Sequence, residues 1–168
     1  NYLASVAFTP SGTALCLADV STGEIRATRL TDGDTALVNE LSIYSPREVL
    51  VNRQLPEGEE ITAYIRKTLA ASLTVMDISV YEKKSIWQNI KGALSLEPDA
   101  VSGDEAIQMA TSALCRYLID TQKTDLSYLK APIVYESGDF MEIDHNSRRN
   151  LELTESMRTR EKRGTLLW

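Results

Sequence analysis

Two aspartates stand where a phosphodiester-cleaving enzyme would keep metal ligands. Asp19 ends the apolar run Ala14-Leu15-Cys16-Leu17-Ala18, and Asp77 follows Leu73-Thr74-Val75-Met76. Carboxylates at strand ends can hold a pair of divalent ions about 4 Å apart, which clamp the attacking and leaving oxygens. That chemistry needs at least three convergent carboxylates, and the sequence offers no persuasive third. Asp19 also has a simpler role, closing its strand and accepting hydrogen bonds from the Ser21-Thr22-Gly23 turn. A divergent metal-dependent nuclease is therefore the alternative reading and not the favoured one.

The other reactive groups support no enzyme either. His145 is the one histidine of the chain; alone it builds no histidine-rich metal site, and its place at an expected helix cap suits no nucleophilic triad. Cys16 and Cys115 lie about a hundred positions apart without metal-like spacing. Both fall in apolar segments, so they are expected buried and reduced. Neither G-x-x-x-x-G-K-[ST] nor G-x-G-x-x-G occurs, so no known loop cradles phosphate. Arg158, Arg160, Lys162 and Arg163 form a basic cluster, but Glu161 interrupts it and no aromatic residue interleaves it, as in a solvated loop. With 18 basic and 24 acidic residues, a net charge of −6 and a pI near 4.9, the chain opposes phosphate-driven nucleic-acid binding. No catalytic, cofactor-binding or metal-ligating residue is assigned.

The elements that would carry these residues read as an α/β domain. At 168 residues the chain is long enough for one domain and a little more. No apolar run approaches the ~20 residues that span a bilayer. Residues 2–8, 14–20 and 24–30 are three β-rich runs joined by Thr9-Pro10-Ser11-Gly12 and Ser21-Thr22-Gly23, an antiparallel meander whose middle strand is apolar on both faces. Thr31-Asp32-Gly33-Asp34 then offers caps for a helix carrying Ala36, Leu37, Leu41 and Ile43, and Ser45-Pro46 stops it. Residues 48–51 form a fourth strand. Ile61, Ile65 and Leu69 lie on a helical stripe before a fifth strand at 73–76. A helix over 82–90, a break at Glu97-Pro98-Asp99 and a long helix opened by Asp104 and Glu105 follow, the last ending near Gln122. Strands alternating with helices after a meander give a mixed five-stranded sheet flanked by helices. Short extended pieces at 133–135 and 140–143, a turn at 137–139 and a helix capped by Asp144 complete a mostly helical tail. Residues 129–168 hold seven basic and seven acidic residues, so the whole net charge lies in 1–128. That shift divides the chain into 1–128 and 129–168. The start at Asn1 and the apolar end Leu166-Leu167-Trp168 read as those of a piece of a longer protein.

Particular phrases carry more than composition. Asn1-Tyr2-Leu3-Ala4-Ser5-Val6, followed by Leu17-Ala18-Asp19-Val20-Ser21-Thr22-Gly23-Glu24, resembles the opening of the connector domain in the MutS family of DNA mismatch repair proteins. Ser45-Pro46-Arg47-Glu48-Val49-Leu50 is similar to that family's first helix-to-strand passage. Tyr117-Leu118-Ile119-Asp120-Thr121-Gln122-Lys123 and Arg148-Arg149-Asn150-Leu151-Glu152-Leu153-Thr154 resemble the connector's last helix and the start of the core domain. The likeness covers essentially the whole chain in order. It departs at Asp144-His145-Asn146-Ser147, where the family carries small residues and Thr, and residues 81–100 show nothing diagnostic.

The resemblance implies a ribonuclease H-like fold without its catalytic carboxylates, in residues 1–128, followed by a truncated start of the core and lever domain in 129–168. It implies no enzyme and no cofactor in this piece. The family's mismatch reader would precede Asn1, and the ATPase domain, with ATP and Mg²⁺, would follow Trp168. The implied roles are linking those parts and docking a MutL-type partner. The parent would be a cytoplasmic homodimer on mismatched duplex DNA, with no membrane part. Leu151, Leu153 and the Leu166-Leu167-Trp168 end would pack on absent core helices, and the tail is expected to be poorly ordered or to cover itself on a second copy.

Overall fold

Apolar runs broken by Pro-Gly and Thr-Gly turns leave the first thirty residues little choice but hairpins. In the computed structural model, which describes residues 1–122 and 125–137, β1 (Tyr2–Thr9), β2 (Gly12–Asp19) and β3 (Ile25–Leu30) form the predicted meander. β4 (Glu48–Val51) lies parallel to β1 on its other side, and β5 (Ser72–Val75) lies parallel to β4. The five expected strands are thus present. A sixth, β6 (Ile133–Val134), adds parallel to β3, giving the order β5-β4-β1-β2-β3-β6. Sequence pattern could not place this strand in the sheet, because two residues are too short to alternate and both side chains stay exposed.

Helices cover both faces. α1 (Gly33–Tyr44) and α2 (Glu60–Ala63), which runs on into a π turn at Tyr64–Thr68, lie on one side. α3 (Lys83–Leu94) and α5 (Glu105–Thr121) lie on the other, with a 3₁₀ turn at Ile78–Tyr81 before α3 and the short α4 (Pro98–Val101) after it. Strand alternation sends Ala4, Val6, Leu15, Leu17, Val49 and Val51 to the α1 side. Leu3, Ala7, Ala14, Cys16, Ala18 and Ala27 face α5. This second face is built mostly of small residues, and α5 meets it with Ala106, Ala110 and Cys115, so helix and sheet approach closely around Ile107, Leu114 and Leu118. None of the helices among the described residues is long and apolar enough to cross a membrane.

Helix ends differ in how well the sequence announces them. The expected cap at Asp32 makes no side-chain bond to α1; at its other end the helix stops at Ser45 as expected, which takes a left-handed φ of 45° and returns its N–H to the Leu41 carbonyl. A proline next in line denies Ser45 the right-handed helical region. Asp104 opens α5 as expected and proves to be its N-cap: its Oδ1 accepts from the Ala106 and Ile107 amides at 2.9 and 3.4 Å, and its Oδ2 accepts from Arg29 Nη1 at 2.7 Å. One side chain thus fixes both the start of α5 and its seat on β3. Asp104→Ala is expected to cost about 1–2 kcal/mol, most of it from the cap and less from an ion pair partly screened by water. Asp104→Asn retains the cap and separates the two parts in urea denaturation.

Candidate functional site

The two aspartates of the nuclease reading end up far apart. β2 runs against β1, so Asp19 stands level with Tyr2, at the end of the sheet where β1 begins. β5 is parallel to β1 through β4, and Val75 is level with Val6, with Asp77 beyond it. Four strand positions and three inter-strand spacings lie between Asp19 and Val75, a separation on the order of 20 Å. Each aspartate is spent on its own turn. Asp19 Oδ1 accepts from Ser21 N at 3.0 Å and Ser21 Oγ at 2.5 Å, and Asp77 Oδ1 accepts from Ser79 N at 2.8 Å. These hydrogen bonds, the serine hydroxyl first, hold both carboxyls below their ordinary range. Among the described residues no group of three or more His, Cys, Asp or Glu is placed to hold a metal ion.

Near the Asp19 end a second polar cluster ties α5 to the sheet. Glu48 Oε1 accepts from Thr74 Oγ1 at 2.7 Å, and Glu48 Oε2 accepts from the Tyr117 hydroxyl. The bond to Glu48 pushes the Tyr117 phenol up to about 12, so at neutral pH it stays a donor and moves no proton. Cys16 and Cys115 are free and fully buried. Burial pushes the Cys16 thiol up to about 12 and the Cys115 thiol well above its ordinary value, which makes both inert packing groups.

Two features escaped the sequence. A groove of about 480 Å³ opens between α3, α4 and the start of α5, lined by Ile86, Trp87, Pro98, Glu105 and Gln108 among others. Trp87 stands at its lip, 47 % exposed, with the Lys91 ammonium 4.4 Å from its ring centre. The buried stripe of α3 is Ile86, Asn89, Ile90 and Ala93; Trp87 falls off that spacing, and this is the signal that would have marked it as exposed. On the opposite side of the sheet, Glu40 of α1 is 0 % exposed. Its Oε2 accepts from the Tyr135 hydroxyl at 2.6 Å, while its Oε1 has no partner. Burial, only partly offset by that bond, raises the Glu40 carboxyl above its ordinary value. The signal was a charged residue on an apolar stripe, since Glu40 lies with Leu37 and Leu41 on the buried face of α1. His145 and the cluster Arg158, Arg160, Lys162 and Arg163, like the expected order of the tail, lie outside the described residues.

What converges is hence packing and polar ties between elements, with an exposed tryptophan beside a groove. Comparison with known proteins agrees with the sequence resemblance. The MutS domain II family profile matches residues 1–130. DNA mismatch repair protein MutS of Staphylococcus haemolyticus is 37 % identical over the whole chain, and that of Ruminiclostridium cellulolyticum is 33 % identical. This chain spans 17 % and 20 % of those two proteins. The six-stranded mixed sheet with helices on both faces is the ribonuclease H-like fold of that domain. On the match over most of its length and on its architecture, the chain belongs to the MutS domain II family of DNA mismatch repair proteins.

Proposed function

We propose that this chain is a non-catalytic connector in a MutS-type mismatch repair ATPase, linking a mismatch reader to the ATPase and docking a MutL-type partner. The observation that supports it is the path of the chain. It comes in at Asn1, beside Asp19, and after six strands runs out along β3, where Ser137 Oγ donates to the Arg29 carbonyl. Arg29 is level with Ala7 through Ala14, toward the far end of β1. In and out therefore lie toward opposite ends of one rigid sheet, the geometry of an in-line spacer. In this reading residues 129–168 lead on toward the core and lever domain. ATP, Mg²⁺ and mismatched duplex DNA belong to the rest of a cytoplasmic, homodimeric parent.

Titration of the isotope-labelled chain with a MutL-type N-terminal domain, and separately with duplex DNA, tests the reading. Localised shifts with the protein and none with DNA are expected, and the Trp87 indole N–H is the first reporter to watch. Shifts with DNA alone would sink it and make the module a nucleic-acid contact.

A further inference from the structure

Residues 125–137 follow α5 and lie along the outer edge of β3; Leu126 and Leu129 pack against the α5 core at the start, and the residues after them are held by little. The Lys130 amide donates to the Gly23 carbonyl at 2.8 Å and the Tyr135 amide to the Ala27 carbonyl at 3.0 Å. Between them Ile133 and Val134 pair with Arg26 and Ala27 through the backbone, with side chains 50 % and 45 % exposed. Such residues bury too little apolar surface to hold a strand by themselves. Beyond Leu129 two side chains tie the segment down: Ser137 Oγ donates to the Arg29 carbonyl at 3.3 Å, and Tyr135 makes the shorter bond and is the main anchor. Tyr135 reaches α1, where its hydroxyl donates to buried Glu40, and Tyr44 of α1 lies close enough to interact with both.

That anchor sits on an unfavourable site. A fully buried carboxyl with one unpartnered oxygen carries a desolvation penalty that the single hydrogen bond offsets only in part. Lifting Tyr135 away would open Glu40 to water and relieve the penalty. The docked and lifted states are thereby brought closer in free energy than a packed strand and its frayed form usually are.

The two states differ in direction. α5 starts at Asp104, paired with Arg29 toward the far end of β1, and by Tyr117 it has reached Glu48, level with Leu3. It therefore runs back toward the Asn1 end, and the segment beyond it starts there, with Lys130 bonded to the Gly23 turn. Docked, it carries the chain back along β3 before releasing it toward residue 138. Lifted, the chain would depart from the Asn1 end.

We propose that residues 125–137 form a releasable strap, latched by the Tyr135–Glu40 hydrogen bond, whose docking decides from which end of the sheet the chain departs. The latch rests on contacts within this chain and not on the connector reading, and either can fail without the other.

Amide hydrogen exchange on the 168-residue chain tests it. Tyr135→Phe keeps the ring and removes the bond, and it is expected to speed exchange of the Lys130 and Tyr135 amides about tenfold or more, with Leu15 and Leu17 of β2 unchanged. Glu40→Met removes the buried carboxyl and its penalty together with the bond, so it is expected to open the same two amides less than Tyr135→Phe does. The double variant, which leaves no buried polar group unpaired, is expected to open them less than Tyr135→Phe alone. Unchanged strap exchange in Tyr135→Phe overturns the proposal. So does exchange of strap and β2 amides rising together, which would make the strap part of the global core. Should Glu40→Met fail to fold, Tyr135→Phe decides alone.

Discussion

Leu114→Ala is expected to lower the stability of the domain by about 3 kcal/mol, toward the middle of the range for emptying a buried leucine site. Leu114 is 0 % exposed in the middle of α5, in the core between that helix and the sheet. The sheet side of that core is built largely of Ala7, Ala14, Cys16, Ala18 and Ala27, which are short and fixed to strands. Short side chains cannot swing into the space that the lost isobutyl group leaves, so the cavity stays open. Against a total of about 5–15 kcal/mol for a natural domain, such a loss lowers the melting temperature by roughly 10 °C. Urea denaturation followed by circular dichroism reads it directly. A cost below about 1 kcal/mol would mean that the α5 face collapses around the cavity and does not hold its shape.

Gly23→Ala is expected to act in two places at once. Gly23 turns the chain from β2 to β3 at a φ of +80°, a region costing an alanine about 1–2 kcal/mol. An added Cβ would also lie 2.3 Å from the Tyr128 carbonyl oxygen and 2.9 Å from the Tyr128 ring. Backbone cannot swing aside as a side-chain tip can, so the start of the strap must move outward. The prediction is a global loss of about 2 kcal/mol or slightly more. Exchange at Lys130, whose amide bonds the Gly23 carbonyl, should accelerate more than that at any β2 amide. Lys130 protection equal to that of the parent chain would refute the second half while leaving the first intact.

The parts of the fold that the sequence revealed are those governed by local rules. Alternation and turn residues gave the meander, since Ala14 to Ala18 have to be buried on both faces wherever the chain goes. Asp104 announced α5 because an acidic residue at a helix start acts locally, here on the amides of Ala106 and Ile107. What stayed hidden depended on distant contacts. β6 is held by carbonyls of β3 more than a hundred residues earlier, and nothing in Ile133 or Val134 announces that pairing. α3 runs through Gly92, which opposes helix, because Ile86 and Ile90 are buried against α5. The separation of Asp19 from Asp77 followed from strand direction, which types and spacing in the sequence do not state. Glu40 and Tyr135, 95 positions apart, had no local reason to meet.

The opposed ends of the sheet have a mechanical consequence. Tension between Asn1 and the chain beyond Ser137 would load β1 and β6 lengthwise, so neither can unzip one bond at a time. β1 is clamped by β2 through eight facing pairs and by β4 through four, whereas β6 grips β3 through two. The weaker grip yields first. The strap then behaves as a fuse, letting out at most about 45 Å of slack over its thirteen residues, while the sheet behind it keeps its shape and springs back into register when the load is gone.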